Sequence, residues 1–295
     1  MVEKRRKKYT AVDWYITALV VLIGIVIAYP LLFVTVASIS DPNMVNSGQV
    51  WLFPKGLHFE GYKMVLTDKD VMLGYRNSII YTVVGTFSNV FCTVMAGYAL
   101  SRKDLYGRKF FNWFIAIPMW FSGGLIPTFL TVDRLGLVNK PVVLILLTLV
   151  SSYNIIICRS FMSSLPYELQ EAAKIDGASD FQILRQIILP LSGGTIAVLC
   201  LYYGVAHWNS YFNPMIYLNN RDFLPLQVFL REYLLLDQRL DIMETTDAEA
   251  IMALQQMAQV MKYSLIVVAS VPFLILYPML QKYFAKGVMI GAVKG

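Results

Sequence analysis

Six apolar stretches, roughly 14–38, 77–101, 110–132, 141–161, 193–218 and 263–281, constrain every fold this chain can adopt. All are essentially free of Asp, Glu, Lys and Arg, apart from Arg159 near the end of the fourth. The hydrocarbon core of a bilayer is about 30 Å thick, so a spanning helix needs about 20 mostly apolar residues. Each stretch qualifies or nearly does, the fourth being the shortest between charges. Composition agrees: 57% of the 295 residues are hydrophobic, 15% are charged, and mean hydropathy is +0.57. A soluble domain carries about 25% charged residues. The expectation is one all-α integral membrane domain with six transmembrane helices.

The opening MVEKRRKKY resembles the basic region of a signal peptide. The apolar run that follows is far longer than the 7–15 residues of a signal h-region, and Val36-Ala37-Ser38 only weakly mimics a cleavage site. The first stretch therefore reads as an uncleaved helix. Orientation follows from Lys and Arg, which gather on cytoplasmic segments. Six helices with cytoplasmic N- and C-termini place four basic groups of residues inside. They are Lys4 to Lys8; Arg102, Lys103, Arg108 and Lys109; Arg159, Lys174 and Arg185; and Lys282, Lys286 and Lys294. The net charge of +6 is then a topology signal. It does not indicate nucleic-acid binding, because the charges are scattered over membrane-flanking loops.

Cys92, Cys158 and Cys200 all fall inside predicted helices. They form no disulfide framework and have no metal-ligand spacing with His58 and His207, so no metal site is expected. Two long segments are expected to face outside. In 39–76, residues 59–75 suit a short helix. In 219–262, residues 225–236 and 247–261 have helical apolar spacing, with Pro225 at the start of the first. Pro118, Pro127, Pro272 and Pro278 interrupt predicted helices.

The polar break between the fourth and fifth stretches is more specific. Pro166 can open a helix there, and Glu168 and Glu171 suit its positive end. Ala172 and Ala173 favour helix. Gly177 can end it in a left-handed conformation. Asp180 is a plausible cap for a second helix over 181–188, and Pro190 stops or kinks the chain where the fifth span begins. The expected product is a helix–turn–helix at the cytoplasmic surface, over about 164–191.

Glu171-Ala172-Ala173, three residues, Gly177, nine residues, then Ile187-x-Leu189-Pro190 meets every fixed position of a known signature. The segment resembles the cytoplasmic loop of permease subunits of binding-protein-dependent ABC importers. His207 to Pro214 and the terminal QKYFAKGVMIGAVKG (281–295) are similar to carbohydrate-importing members. The resemblance implies a coupling helix docked into an ATPase subunit, with Glu168, Glu171, Ala172, Ala173, Asp176 and Gly177 as coupling residues. Glu171 and Ala172 would face the ATPase and Gly177 would make the sharp turn. Asp176 would make a polar contact or cap the helix.

It also implies the partners: a second homologous permease, two ATPase subunits, an extracytoplasmic solute-binding protein and membrane lipid. The location would be the bacterial cytoplasmic membrane. ATP and Mg would bind the partner ATPase, because this chain has no G-x-x-x-x-G-K-[S/T] phosphate loop. No Ser/His/Asp or Cys/His set is credible, so no catalysis and no cofactor are expected of this polypeptide.

A sugar needs aromatic faces for its C–H surfaces and amides or hydroxyls for its hydroxyl groups. Trp208, Asn209, Tyr211 and Asn213 offer both near the outer end of the fifth stretch, and Tyr153 and Asn154 do so in the fourth. The same residues also suit interfacial aromatic belts and helix–helix hydrogen bonds. An oligosaccharide is the expected cargo, with a peptide, amino acid or phosphonate as the alternative within the class. An ion-coupled secondary transporter would need carboxylates or lysines inside the spans, and the spans lack them.

Overall fold

The computed structural model of the chain describes residues 10–240, 258–276 and 278. The N-terminal basic group and the stretch 281–295 lie outside the described residues, as does 247–257 of the second external helix expected from the sequence. The described residues contain helices and connecting segments and no strand.

Helix α1 (Ala11–Ala37) starts at Thr10, whose amide and hydroxyl both donate to the Asp13 carboxylate at 2.8 and 2.7 Å. Helix α2 (Lys69–Ser101) begins eight residues before the second apolar stretch. The third stretch is not one helix. It forms α3 (Arg108–Ala116), a 3-10 turn at Ile117–Met119 and α4 (Leu125–Arg134). Pro118 sits in the 3-10 turn and Gly124 has a φ of +79°, which explains the break physically. The fourth stretch is likewise divided, into Val142–Leu146 and α5 (Ser152–Ser164), whose first turn is capped by the Ser151 hydroxyl.

After α6 (Glu168–Ile175) the chain runs through Asp180–Leu191 into α7 (Gly193–Trp208) with a bend of 82°. A short helix, Phe212–Tyr217, follows, then α8 (Leu226–Leu240) and α9 (Ala258–Leu276). Helix α8 begins directly after Pro225. The short helix expected over 59–75 is confined to Glu60–Thr67, because Asp68 is extended and the residues from Lys69 onward open α2 instead. Among the described residues α1, α2 and α9 are each long and apolar enough to cross a membrane, and the bent pair adds a fourth if it counts as one span.

The contacts divide the chain into two compact units. One takes the described residues of 1–68 and 232–270, the other those of 69–231 and 271–295. In the first, a small apolar cluster forms around Ala37, Val45 and Val50. The Ser38 and Tyr62 hydroxyls share a hydrogen bond of 2.6 Å, and the Ser264 hydroxyl donates to the Ser38 carbonyl. Phe33 and Tyr263 meet edge to face. The apolar window of α1 buries no residue.

In the second unit α2 packs against α5 and α7. Lipid tails are as apolar as leucine, so helices inside a bilayer associate by close packing and hydrogen bonds. Both devices are visible. A Cβ on Gly97 would stand 2.8 Å from the Cys158 sulfur, and one on Gly85 would run into the His207 ring. Buried Asn89 donates to the Thr148 carbonyl, while its oxygen lies 2.9 Å from His207 Nε2. Thr93 and Tyr203 share a hydroxyl hydrogen bond of 2.7 Å. Cys92 and Cys200 are half-buried, Cys158 is buried, and all three are free thiols.

Candidate coupling surface and polar cavity

Helix α6 ends as its sequence dictates. Gly177 adopts φ +80°, its N–H donates to the Lys174 carbonyl at 3.0 Å, and the Ala178 N–H donates to the Ala173 carbonyl at 2.9 Å. These two bonds satisfy end carbonyls of the helix in a Schellman turn. Asp176 is the residue at the helix end, with its backbone N–H on the Ala172 carbonyl. The cap of the next helix differs from the one expected. Ser179 takes that place, and its N–H donates to Gln182 Oε1 at 2.7 Å in a capping box, so Asp180 is the first helical residue instead. A hydroxyl with Gln three positions later closes two orphan groups at once, which a carboxylate one residue further on cannot do. Pro166 stands two residues before the helix start rather than in its first turn.

Glu168, Glu171, Ala172, Asp176 and Gly177 are exposed. Ala173 instead turns inward and packs on a buried cluster that includes Tyr98, Cys158, Met162, Ile183 and Leu184. Ile187 and Leu189 of the signature pack against the same cluster, with Ile188 fully buried in it. Apolar side chains that the motif does not mark stand out in water: Ile175 is 86% exposed and Phe181 63%. Carboxylates beside bare apolar groups on a short helix suit a protein partner.

Arg102 fastens this surface to α2 and escapes motif reading altogether. Its side chain is buried, yet it donates to both Asp104 carboxylate oxygens at 3.0 and 2.8 Å. It also reaches Tyr98 Oη at 3.2 Å, Gln170 Oε1 at 3.3 Å and the Asp180 carboxylate at 3.1 Å. Lys174 Nζ closes the set on Asp104 at 2.7 Å. One guanidinium thereby joins the end of α2, helix α6 and the helix after the turn. The Arg102 hydrogen bond, followed by that of Lys174, holds the Asp104 carboxyl well below the usual carboxylate range. The Asp104 contact in turn raises Arg102 and Lys174 above their ordinary values. The only sequence signal was a basic turn at 102–109 interrupted by one Asp.

A second feature is a cavity of about 360 Å³ among α5, α7 and the segment before α5. It is lined by Thr148, Ser151, Asn154, Tyr202, Tyr203 and His207, among others, so hydroxyl, amide and imidazole groups are set in a wall that is mostly apolar. Of the six residues expected at a substrate site, Asn154 lines this cavity. Trp208 is buried, with its ring edge to face with Tyr75 at 5.6 Å and with Phe273 at 5.9 Å. Asn209 is exposed and donates to the Val205 carbonyl. The exposed Tyr211 ring lies 5.2 Å from the Arg231 guanidinium. Asn213 is half-buried and Tyr153 is 57% exposed. The run 208–213 therefore does not converge on one point. The end of α7 at Trp208 and a new helix at Phe212 send its side chains apart.

Comparison with known proteins supplies an independent measure. The family described as "Binding-protein-dependent transport system inner membrane component" matches residues 72–290. The polygalacturonan/rhamnogalacturonan transport system permease protein YtcP of Bacillus subtilis (strain 168) is 35% identical over 96% of this chain and 98% of its own length. The arabinooligosaccharides transport system permease protein AraQ of Halalkalibacterium halodurans is 27% identical over 99% of this chain and 100% of its own. A chain in the crystal structure of a bacterial ABC transporter involved in the import of the acidic polysaccharide alginate superposes with a TM-score of 0.84. It is 32% identical, with 95% of this chain and 100% of that chain covered.

Proposed function

Because this chain belongs to the family of inner-membrane components of binding-protein-dependent transport systems, we propose that it is the multi-pass permease subunit of an ABC importer that moves an oligosaccharide. The observation that carries the mechanism is the α6 surface. It is exposed, ended by a fixed turn, and fastened through Arg102 to the long helix α2. A docked ATPase that moves on closing would push α6. Arg102 and the shared core would pass that movement to α2, α5 and α7, the last two of which line the cavity. This is rigid-body switching driven by differential binding of a partner.

Membership of the family supports a finer assembly. An ATPase pair binds from the cytoplasm, chiefly at 168–190, and holds ATP and Mg. A solute-binding protein delivers cargo from outside to the segments 39–76 and 219–262. Six membrane crossings put both termini in the cytoplasm; Arg102, Lys103, Arg108 and Lys109 then lie on the same side as α6, in agreement with the charge rule. The unburied apolar length of α1 suits a second, similar permease or lipid beside it. Names of relatives support the cargo class, since YtcP, AraQ and the alginate importer carry saccharide polymers or oligomers. The hydroxyl-, amide- and tyrosine-lined cavity suits such a ligand.

The test is ATP hydrolysis by the assembled complex in lipid, with its binding protein and neutral or acidic oligosaccharides, in wild type and Glu171→Lys. Sugar-stimulated hydrolysis that the substitution reduces at least tenfold is expected, the equivalent of about 1.4 kcal/mol of lost coupling. Stimulation by no saccharide would reject the cargo class, and undiminished stimulation in the variant would remove Glu171 from the coupling surface.

A further inference from the structure

A groove between α3 and α5 is polar at one end and apolar at the other, like one leaflet of a bilayer. Helix α3 and the turn after it contribute Lys109, Asn112, Trp113 and Trp120; α5 contributes Ile156 and Arg159. The groove is open to one side and holds about 520 Å³. Arg159 Nη1 donates to Asn112 Oδ1 at 2.6 Å, which holds the guanidinium beside the end of the groove where Lys109 stands. Arg159 Nε is buried and has no hydrogen-bond partner among the described residues. Neither Arg159 nor Lys109 meets a carboxylate among those residues. Two cations thus line a slot whose other walls are Asn112, Ala116, Ile156 and two indole rings, 65% and 68% exposed. A buried donor left unpaired is costly until an acceptor completes it.

We infer that this groove binds an anionic phospholipid of the cytoplasmic leaflet, with its phosphate on Lys109 and Arg159 and an acyl chain along Trp113, Trp120 and Ile156. The inference rests on the topology given under Proposed function, in which 102–109 is cytoplasmic. There the negative surface potential of the leaflet attracts basic residues, indole rings favour the headgroup level, and a lysine at a helix start extends its ammonium to that level. The choice of lipid over an acidic sugar follows from the apolar end. A saccharide needs partners for hydroxyls along its whole length, and Ile156 and Ala116 have none to offer.

The test reconstitutes the assembled transporter in nanodiscs of equal parts phosphatidylglycerol and phosphatidylcholine, and identifies the retained lipid by native mass spectrometry. Wild type is expected to retain phosphatidylglycerol preferentially. Lys109→Gln lowers that retention about fivefold, the factor one basic residue contributes near an anionic surface. Trp113→Ala lowers total retention without altering headgroup preference, which separates a lost slot from a lost charge. Lys55→Gln, remote in sequence, leaves both unchanged. Equal retention by wild type and Lys109→Gln overturns the inference. So does displacement of the lipid by inorganic phosphate, which identifies a free-anion site, or by an oligogalacturonate, which identifies a sugar site. Impermeant maleimide labelling of Lys103→Cys, in a chain with Cys92, Cys158 and Cys200 replaced by Ala, tests the premise separately. Labelling from the outer face overturns the topology and the leaflet assignment together. Labelling from the cytoplasmic face with no lipid preference overturns the lipid site alone.

Discussion

Asp104 balances Arg102 and Lys174 beside the proposed coupling surface. Its carboxyl is held down by Arg102 and then Lys174, so the stability it contributes is present above the unfolded carboxylate pKa of about 3.9. That contribution is lost as pH falls through the lower, folded value. The stability gap between wild type and Asp104→Asn, read from thermal unfolding of the purified complex, is therefore expected to stay constant between about pH 5 and 8. It should narrow below about pH 4. Its size is modest, since the carboxylate is 48% exposed and water screens it. Gly177 makes a different demand. Nothing lies within 4 Å of where its Cβ would stand, so substitution meets backbone strain alone. Gly177→Ala should cost about 1 kcal/mol and Gly177→Asn less, because Asn tolerates the left-handed region. Equal costs for the two in chemical denaturation would show that φ is not the reason for glycine.

At the scale of elements, α2 is the shared wall, and its small residues decide how near its neighbours come. Gly85 lies under the His207 ring of α7. Gly85→Ala should destabilise by about 1–3 kcal/mol through overpacking. In a His207→Ala background the same change should cost much less, since the three atoms nearest the new Cβ belong to that ring. Additive effects in the double-mutant cycle would reject the packing account. Elements also explain where apolar length misled. Residues 110–132 carry enough hydrophobicity for one span, but Pro118 and Gly124 divide them into α3 and α4. Hydropathy sums over a window and does not register where the backbone turns. The signature segment was legible for the opposite reason. Its helix, turn and stop are set by residues close in sequence, and even there a hydroxyl–glutamine pair at Ser179 and Gln182 outcompeted Asp180 as the cap.

At the scale of the whole molecule, the exposed Ile175 and Phe181 lie on the surface proposed to receive the ATPase. Ile175→Asp is expected to leave folding unchanged, because the side chain is 86% exposed, while lowering co-purification of the ATPase at least tenfold. Normal co-purification would move the docking face elsewhere. The membrane class, the helical content, the helix–turn–helix segment with its left-handed glycine and the family itself were determined by the sequence alone. Each depends on composition or on residues a few positions apart. The Arg102 network, the inward turn of Ala173, the dispersal of Trp208 to Asn213 and the grooves beside α5 were decided only by tertiary structure. Arg102 and Gln170 are 68 residues apart, as the hydrogen bond between them records. No local propensity encodes that meeting; it exists because α2 and α5 pack closely enough, over Gly97 and Cys158, to bring the ends of two distant segments together.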